Sequence, residues 1–181
     1  MAAASVQCYQ VKSLPMSHAT PIVFVVDDDI SVRESLELLI RHEGFVVETF
    51  ESAQEFISRP RAFVPSCLVL DISLLGLNGI ELQKRIAVER PDMPIIFITG
   101  HGNIPMTVQA MKAGAAEFLT KPFGDDVLLS AIRNALERSK VLIGRETELR
   151  TLKARYAHLT PREREVMARV VAGFQIGRAH V

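Results

Sequence analysis

Four stretches of this 181-residue chain carry side chains suited to phosphoryl chemistry: the acidic run Asp27-Asp28-Asp29, the lone Asp71, Thr99-Gly100-His101, and Lys121 before Pro122. Carboxylates gathered in one place repel one another unless a positive charge lies among them. A set of hard oxygen donors suits Mg²⁺, which keeps its waters and leaves room for a phosphoryl oxygen. Lys121 and Thr99 then read as ligands for the other phosphoryl oxygens. A carboxylate is a weak nucleophile, but a cation and an ammonium beside it offset the charge that develops during transfer. Taken singly the residues are ordinary: Asp29 is placed to cap a helix beginning near Ser31, Asp71 to open an Asx-turn, Lys121 to lie on the surface. What points to a site is their joint occurrence at the ends of separate apolar runs.

Those runs alternate with helical spacing. Ile22–Val26 reads as a first strand, followed by Val32, Leu36, Leu39 and Ile40 on one helical face and Gly44 as a stop. A second strand is expected at Phe45–Val47, a short helix capped by Ser52 through Phe56 and Ile57, and a third strand at Leu68–Leu70. Ile80, Leu82, Ile86 and Val88 mark a helix ending at Pro91. Ile95–Ile98 is the fourth strand, Ile104 to Ala113 a helix closed by Gly114, and Glu117–Leu119 the fifth strand; Asp125 opens a long final helix. Parallel neighbours need crossovers, and right-handed crossovers leave few strand orders. The expected architecture is a flavodoxin-like (βα)5 doubly wound sheet of order 2-1-3-4-5, in which ligands sit beyond the carboxyl ends of the strands.

Composition limits the function classes. At 181 residues a large enzyme is excluded, and 48% hydrophobic with 23% charged residues excludes wholesale disorder and fibrous repeats. The 21 bases and 21 acids cancel overall but are unevenly placed: 17 acids against 11 bases lie in residues 1–137 (net −6), and 10 bases against 4 acids in 138–181 (net +6). The acidic part favours cations or a basic partner, and the basic part an anionic one. Cys8 and Cys67 lack metal-site spacing, and Cys67 reads as a small buried hydrophobe. No stretch has the length of a membrane span and the first ten residues lack a signal-peptide pattern, so a cytoplasmic location is expected, away from membranes. Residues 1–20 read as a disordered extension, with Met16 as the expected natural start.

Val26-Asp27-Asp28, Leu70-Asp71, Ile98-Thr99-Gly100-His101-Gly102 and Leu119-Thr120-Lys121-Pro122-Phe123 together resemble the receiver domain of bacterial two-component response regulators of the FixJ type, over about residues 22–136, which places a receiver domain at 21–137. The resemblance implies that Asp71 accepts a phosphoryl group from a sensor histidine kinase. It implies that Asp28, Asp71 and the Ser73 carbonyl bind Mg²⁺, with Asp27 helping through water, and that Lys121 and Thr99 contact the phosphoryl oxygens. Thr99 and Phe118 would be the switch pair, Ser73 and His101 would tune hydrolysis, and Lys121-Pro122 would be a cis peptide. Phosphorylation would promote homodimerisation through the helix 4 and strand 5 face, including Met106, Val108, Met111 and Glu117. Leu75 stands where the family usually has Pro, which predicts a looser loop. A competing reading is an enzyme, an Asp-nucleophile phosphatase or phosphotransferase. Haloacid-dehalogenase-like phosphatases carry a second Asp two residues after the nucleophile, and Ser73 there argues against turnover.

Beyond the receiver, Leu142, Leu149, Leu152, Tyr156 and Leu159 form a short heptad-like stripe, interrupted by Gly144, that predicts a linker helix over 138–158. The stripe leaves two arrangements open, a helix packed on a partner and one lying on its own receiver. Thr160, Pro161 and Glu163 then spell a capping box that opens a helix with Val166, Val170 and Val171 facing inward and Gly173 as its stop. The segment 159–175 resembles the opening helix of a LuxR-type helix-turn-helix. One helix cannot enter a groove and bury a core, so DNA binding is expected only of a full-length parent. Residues 176–181 do not fit that family and are expected to be a non-native tail.

Overall fold

The computed structural model describes residues 20–74, 79–100 and 104–171. Five strands, β1 (Ile22–Val26), β2 (Val46–Phe50), β3 (Ser66–Asp71), β4 (Ile95–Thr99) and β5 (Glu117–Thr120), form one parallel sheet of order β2-β1-β3-β4-β5. The helices are α1 (Ile30–His42), α2 (Ala53–Ser58), α3 (Gly79–Glu89), α4 (Ile104–Lys112), α5 (Asp125–Ala157) and α6 (Pro161–Val171). The order expected from the strand–helix alternation is the order found.

Alternate residues of each strand feed two separate cores, because successive side chains leave a sheet on opposite faces. Phe24, Val26, Leu68, Leu70, Ile95 and Phe97 pack under α2, α3 and α4. Val23, Val25, Val69, Ile96 and Ile98 pack against Leu36 and Ile40 of α1 and Leu128, Ile132 and Leu136 of α5. With both faces covered, β3 is buried along its whole length. Cys67 lies inside this layer, and burial pushes its thiol far up.

Several boundaries differ from the sequence expectation. β2 begins one residue later and runs through Glu48 and Thr49, because Glu48 is ion-paired with Arg59 and so tolerates an edge-strand position. β3 starts at Ser66, whose N–H donates to the Ser139 hydroxyl of α5, a buried tie across the layers. Val88 of α3 points to solvent, while Ile80, Leu82 and Ile86 are buried as expected. Gly44 and Gly114 close α1 and α4 with φ of +83° and +92°, backbone that glycine adopts without strain.

The largest difference is at the expected linker boundary. No break separates 137 from 138: α5 is one helix of 33 residues that passes through Gly144. Its buried residues stop at Ser139. An ion-pair cluster then holds the next turns to the receiver. Arg61, from the α2–β3 loop, reaches both Asp92 and Glu146, Arg150 pairs with Glu146, and both guanidinium groups lie over the Phe63 ring. Residues 147–158 are all exposed, so this part of the helix does not lie on its own receiver. α6 carries its expected capping box, in which the Thr160 N–H and hydroxyl both donate to the Glu163 carboxylate. Its apolar residues are not turned inward: Val166, Val170 and Val171 are exposed, since no second layer of helices covers them among the described residues. The expected stop at Gly173, the 1–20 extension apart from Thr20, and the 176–181 tail lie outside the described residues. No helix among the described residues is long and apolar enough to cross a membrane.

Leu128→Ala in the anchored half of α5 is expected to cost about 2–5 kcal/mol, by lost burial and a residual cavity. Val166→Ala on α6 should cost less than about 0.5 kcal/mol. Urea unfolding of the two variants measures the contrast.

Candidate functional site

Strand register brings the acids together. Val26 is the partner of Leu70, so the chain leaves β1 at Asp27 level with Asp71 at the end of β3. Neighbouring strands lie only about 4.8 Å apart, which sets two carboxylates side by side. One oxygen each of Asp27, Asp28 and Asp71 lies within 4.8 Å of the others. Asp27 is fully buried and Asp71 nearly so, whereas Asp28 is exposed at the mouth. Three hard oxygen donors, one of them open to water, form a donor set that fits a small divalent cation such as Mg²⁺.

Lys121 closes the cluster from the end of β5. Its Nζ lies 2.8 Å from Asp27 Oδ2 and 3.1 Å from Asp71 Oδ2. Its backbone is tied to the neighbouring strand, the Lys121 N–H donating to the Thr99 carbonyl at 2.7 Å. The Lys121-Pro122 peptide is cis, as the resemblance implies. Thr99 ends β4 fully buried. Ser73 is exposed in the loop after β3, and its N–H donates to Asp71 Oδ1 at 2.9 Å. The structure therefore brings together Asp27, Asp28, Asp71, Ser73, Thr99 and Lys121. His101 and Leu75 lie outside the described residues.

Supporting contacts are not visible in the motifs. Arg33 Nη1 of α1 donates to the Asp27 carbonyl at 2.6 Å, and the Asp29 N–H donates to Asp27 Oδ1 at 2.9 Å. Asp29 itself caps α1, accepting from the Ser31 N–H, a bond that holds its carboxyl below the usual range. Gly79 opens α3 against the back of β3, where a Cβ would meet the Asp71 carbonyl oxygen and Ile72 Cα at 3.0 Å each, and the Phe97 ring at 3.3 Å. Phe97 in turn lies 6.4 Å, centroid to centroid, from the half-buried Phe118. A packed path thus runs from the Asp71 backbone to Phe118. The only sequence signals for it are a glycine at a helix start and a Phe inside a strand.

The electrostatics follow from burial. Burial pushes the Asp27 carboxyl above its ordinary value, and the hydrogen bonds from Lys121 and the Asp29 N–H offset this only in part. For Lys121, burial pulls the ammonium down, but the hydrogen bonds to Asp27 and Asp71 and their charges more than reverse this and hold it above its usual value.

A parallel sheet of this order with three acids and a lysine at its carboxyl edge defines the receiver class of folds. Known proteins agree. The response regulator receiver domain family matches residues 23–133, and the chain belongs to it. Nodulation protein W of Bradyrhizobium diazoefficiens is 49% identical over 152 residues, spanning 84% of this chain and 67% of that protein. The transcriptional regulatory protein FixJ of the same organism is 41% identical over 151 residues, covering 83% and 74%. The structure of the response regulator StyR superposes with a TM-score of 0.78 at 46% identity, covering 87% and 79%. Residues 23–133 are thus the receiver domain of a FixJ-like two-component response regulator.

Because Asp27 titrates higher in the folded chain than in the unfolded one, its ionisation opposes folding, and the penalty grows as pH rises above the ordinary carboxylate range. Lys121→Met removes its main compensating partner. The variant is expected to lose about 1–3 kcal/mol near pH 8 and progressively less as pH falls toward the carboxylate range, since the raised Asp27 carboxyl protonates before an ordinary one. The raised titration of Lys121 itself lies above this window and adds no slope. Urea unfolding over a series of pH values below 8 checks the trend.

Proposed function

We propose that this chain is a phosphoacceptor switch: Asp71 takes a phosphoryl group from the phosphohistidine of a sensor kinase, and the modified receiver pairs with a second copy. The observation that carries the reading is the Lys121 ammonium lying between Asp27 and Asp71, at an edge where a third carboxylate is open to water. An Asp71 carboxylate oxygen attacks phosphorus, its bond to the histidine nitrogen breaks, and the electron pair returns to the imidazole. Lys121 follows the transferred charge, leaving Asp71 for a phosphoryl oxygen, while Asp27 keeps hold of its other side. The Thr99 hydroxyl binds a second phosphoryl oxygen. Asp28, Asp71 and the Ser73 carbonyl would hold Mg²⁺, with Asp27 helping through water; when bound, the ion neutralises negative charge on the phosphoryl oxygens.

Thr99 moves toward the phosphoryl group, and Phe118, half-buried beside Phe97, follows it into the space vacated. That motion changes the face made by α4 and β5. Its support is surface chemistry: Val108, Met111 and Glu117 are exposed, while Met106 is half-buried against the core. The acyl phosphate is lost by hydrolysis, tuned by Ser73 and His101, so the chain is no turnover enzyme. The domain reading is receiver 21–137, a linker on the same helix over 138–158, and the start of a LuxR-type helix-turn-helix over 159–175. Transcriptional control through DNA belongs to the full-length parent.

Acetyl phosphate with Mg²⁺ is expected to add the mass of one phosphoryl group to the intact chain. Asp71→Asn should abolish the adduct, and Asp28→Asn should raise the Mg²⁺ requirement by roughly tenfold, as a lost carboxylate ligand would. Rapid release of inorganic phosphate without an adduct would instead favour the phosphatase reading.

A further inference from the structure

The exposed end of α5 is patterned for a helix of its own kind. Leu149, Leu152 and Tyr156 follow the 3-4 spacing of a coiled-coil seam, with Leu149 and Tyr156 at a positions and Leu152 at d; Leu159, at the next d position, lies just past the end of the helix. The first three of these are 51%, 58% and 49% exposed. In that frame Glu148 takes position g and Lys153 position e, the two positions that face each other across a parallel pair. Neither makes an ion pair among the described residues, although Arg150 beside them does. The charges are therefore left free on the side where a copy of the helix would meet them. Upstream, Arg145 stands at the preceding d position and Leu142 is half-buried toward the receiver, so the seam begins at 148.

We infer that residues 148–157 form a parallel, in-register two-stranded coiled coil with the same segment of a second copy, its register fixed by Glu148 pairing with Lys153 of the other helix. Three core layers are too few to hold two free helices together. The seam closes when the receivers have already been brought side by side, which raises the local concentration of one helix at the other. In this it rests on the receiver pairing proposed above. That pairing also sets the parallel sense, since a closed two-fold dimer joined at both places needs both receivers at one end. The cluster of Arg61, Glu146 and Phe63 makes the coupling mechanical: it fixes the base of the exposed helix to the receiver, so receiver geometry is passed directly to the seam.

The test uses the full chain carrying Cys8→Ser, with Cys67 buried, treated with acetyl phosphate and Mg²⁺. Leu152→Cys should oxidise to a covalent dimer, and Thr151→Cys, on the outer face, should not. In sedimentation equilibrium, Glu148→Lys or Lys153→Glu alone should weaken association about tenfold, two symmetry-related pairs having turned repulsive. The double reversal should restore it to within about twofold. Equal cross-linking at both cysteines, or a double reversal no stronger than the singles, overturns the inference. The second result also marks the antiparallel arrangement, in which Glu148 would face Arg155. Met111→Glu separates the two readings. If it leaves phosphorylation-dependent dimers intact, the α4 and β5 face falls; if the charge variants have no effect on those dimers, the seam falls while the face stands.

Discussion

One ammonium shared by two carboxylates at the end of an apolar sheet sets the terms for the rest of the molecule. Asp27 has no exposed surface and Asp71 very little, and two such acids side by side repel unless a cation lies between them. Lys121 supplies it from two strands beyond β3, and only a long side chain spans that gap. On the proposed reading, the arrangement holds a charge ready to follow an incoming anion, because the ammonium that stabilises the cluster would turn toward a phosphoryl oxygen. Stability and responsiveness are therefore linked at Lys121, as is common where burial and charge converge.

Around this cluster the fold is stiff. β3 is buried on both faces, α3 begins so close to its back that a methyl group would collide with the Asp71 carbonyl, and Phe97 fills the space between that contact and Phe118. Close-packed interiors pass small displacements on instead of absorbing them. The carboxyl edge of the sheet is in contact with the α4 and β5 surface through few intermediaries. At the opposite end, the Arg61 cluster ties α5 to two loops just where its apolar anchoring stops. A single helix is thus half core element and half exposed lever.

The strand order, the two faces of the sheet and four of the site residues are legible because each depends on local pattern. Apolar runs of three to five residues ending in Asp, Thr or Lys are unambiguous when they alternate with helical spacing. Edges are harder. β2 reads short because Glu48 looks like the end of a strand until Arg59, eleven residues later, is seen to neutralise it. The inward orientation expected for the apolar positions of α6 fails for a different reason: periodicity gives a helix an apolar face and does not supply what covers it. For Val166, Val170 and Val171 nothing among the described residues does.

By itself the sequence determined that five parallel strands would present acids, a threonine and a lysine at one edge, since alternation and strand-end position are properties of the chain read in order. Only the tertiary structure decided that Asp27 would be sealed from water while Asp28 stayed open, that Lys121 would bridge Asp27 and Asp71, and that α5 would run unbroken past its anchored half. Each of these depends on which strand lies beside which and on what covers them. Contacts between residues far apart in the chain are fixed by packing, which local spacing does not encode.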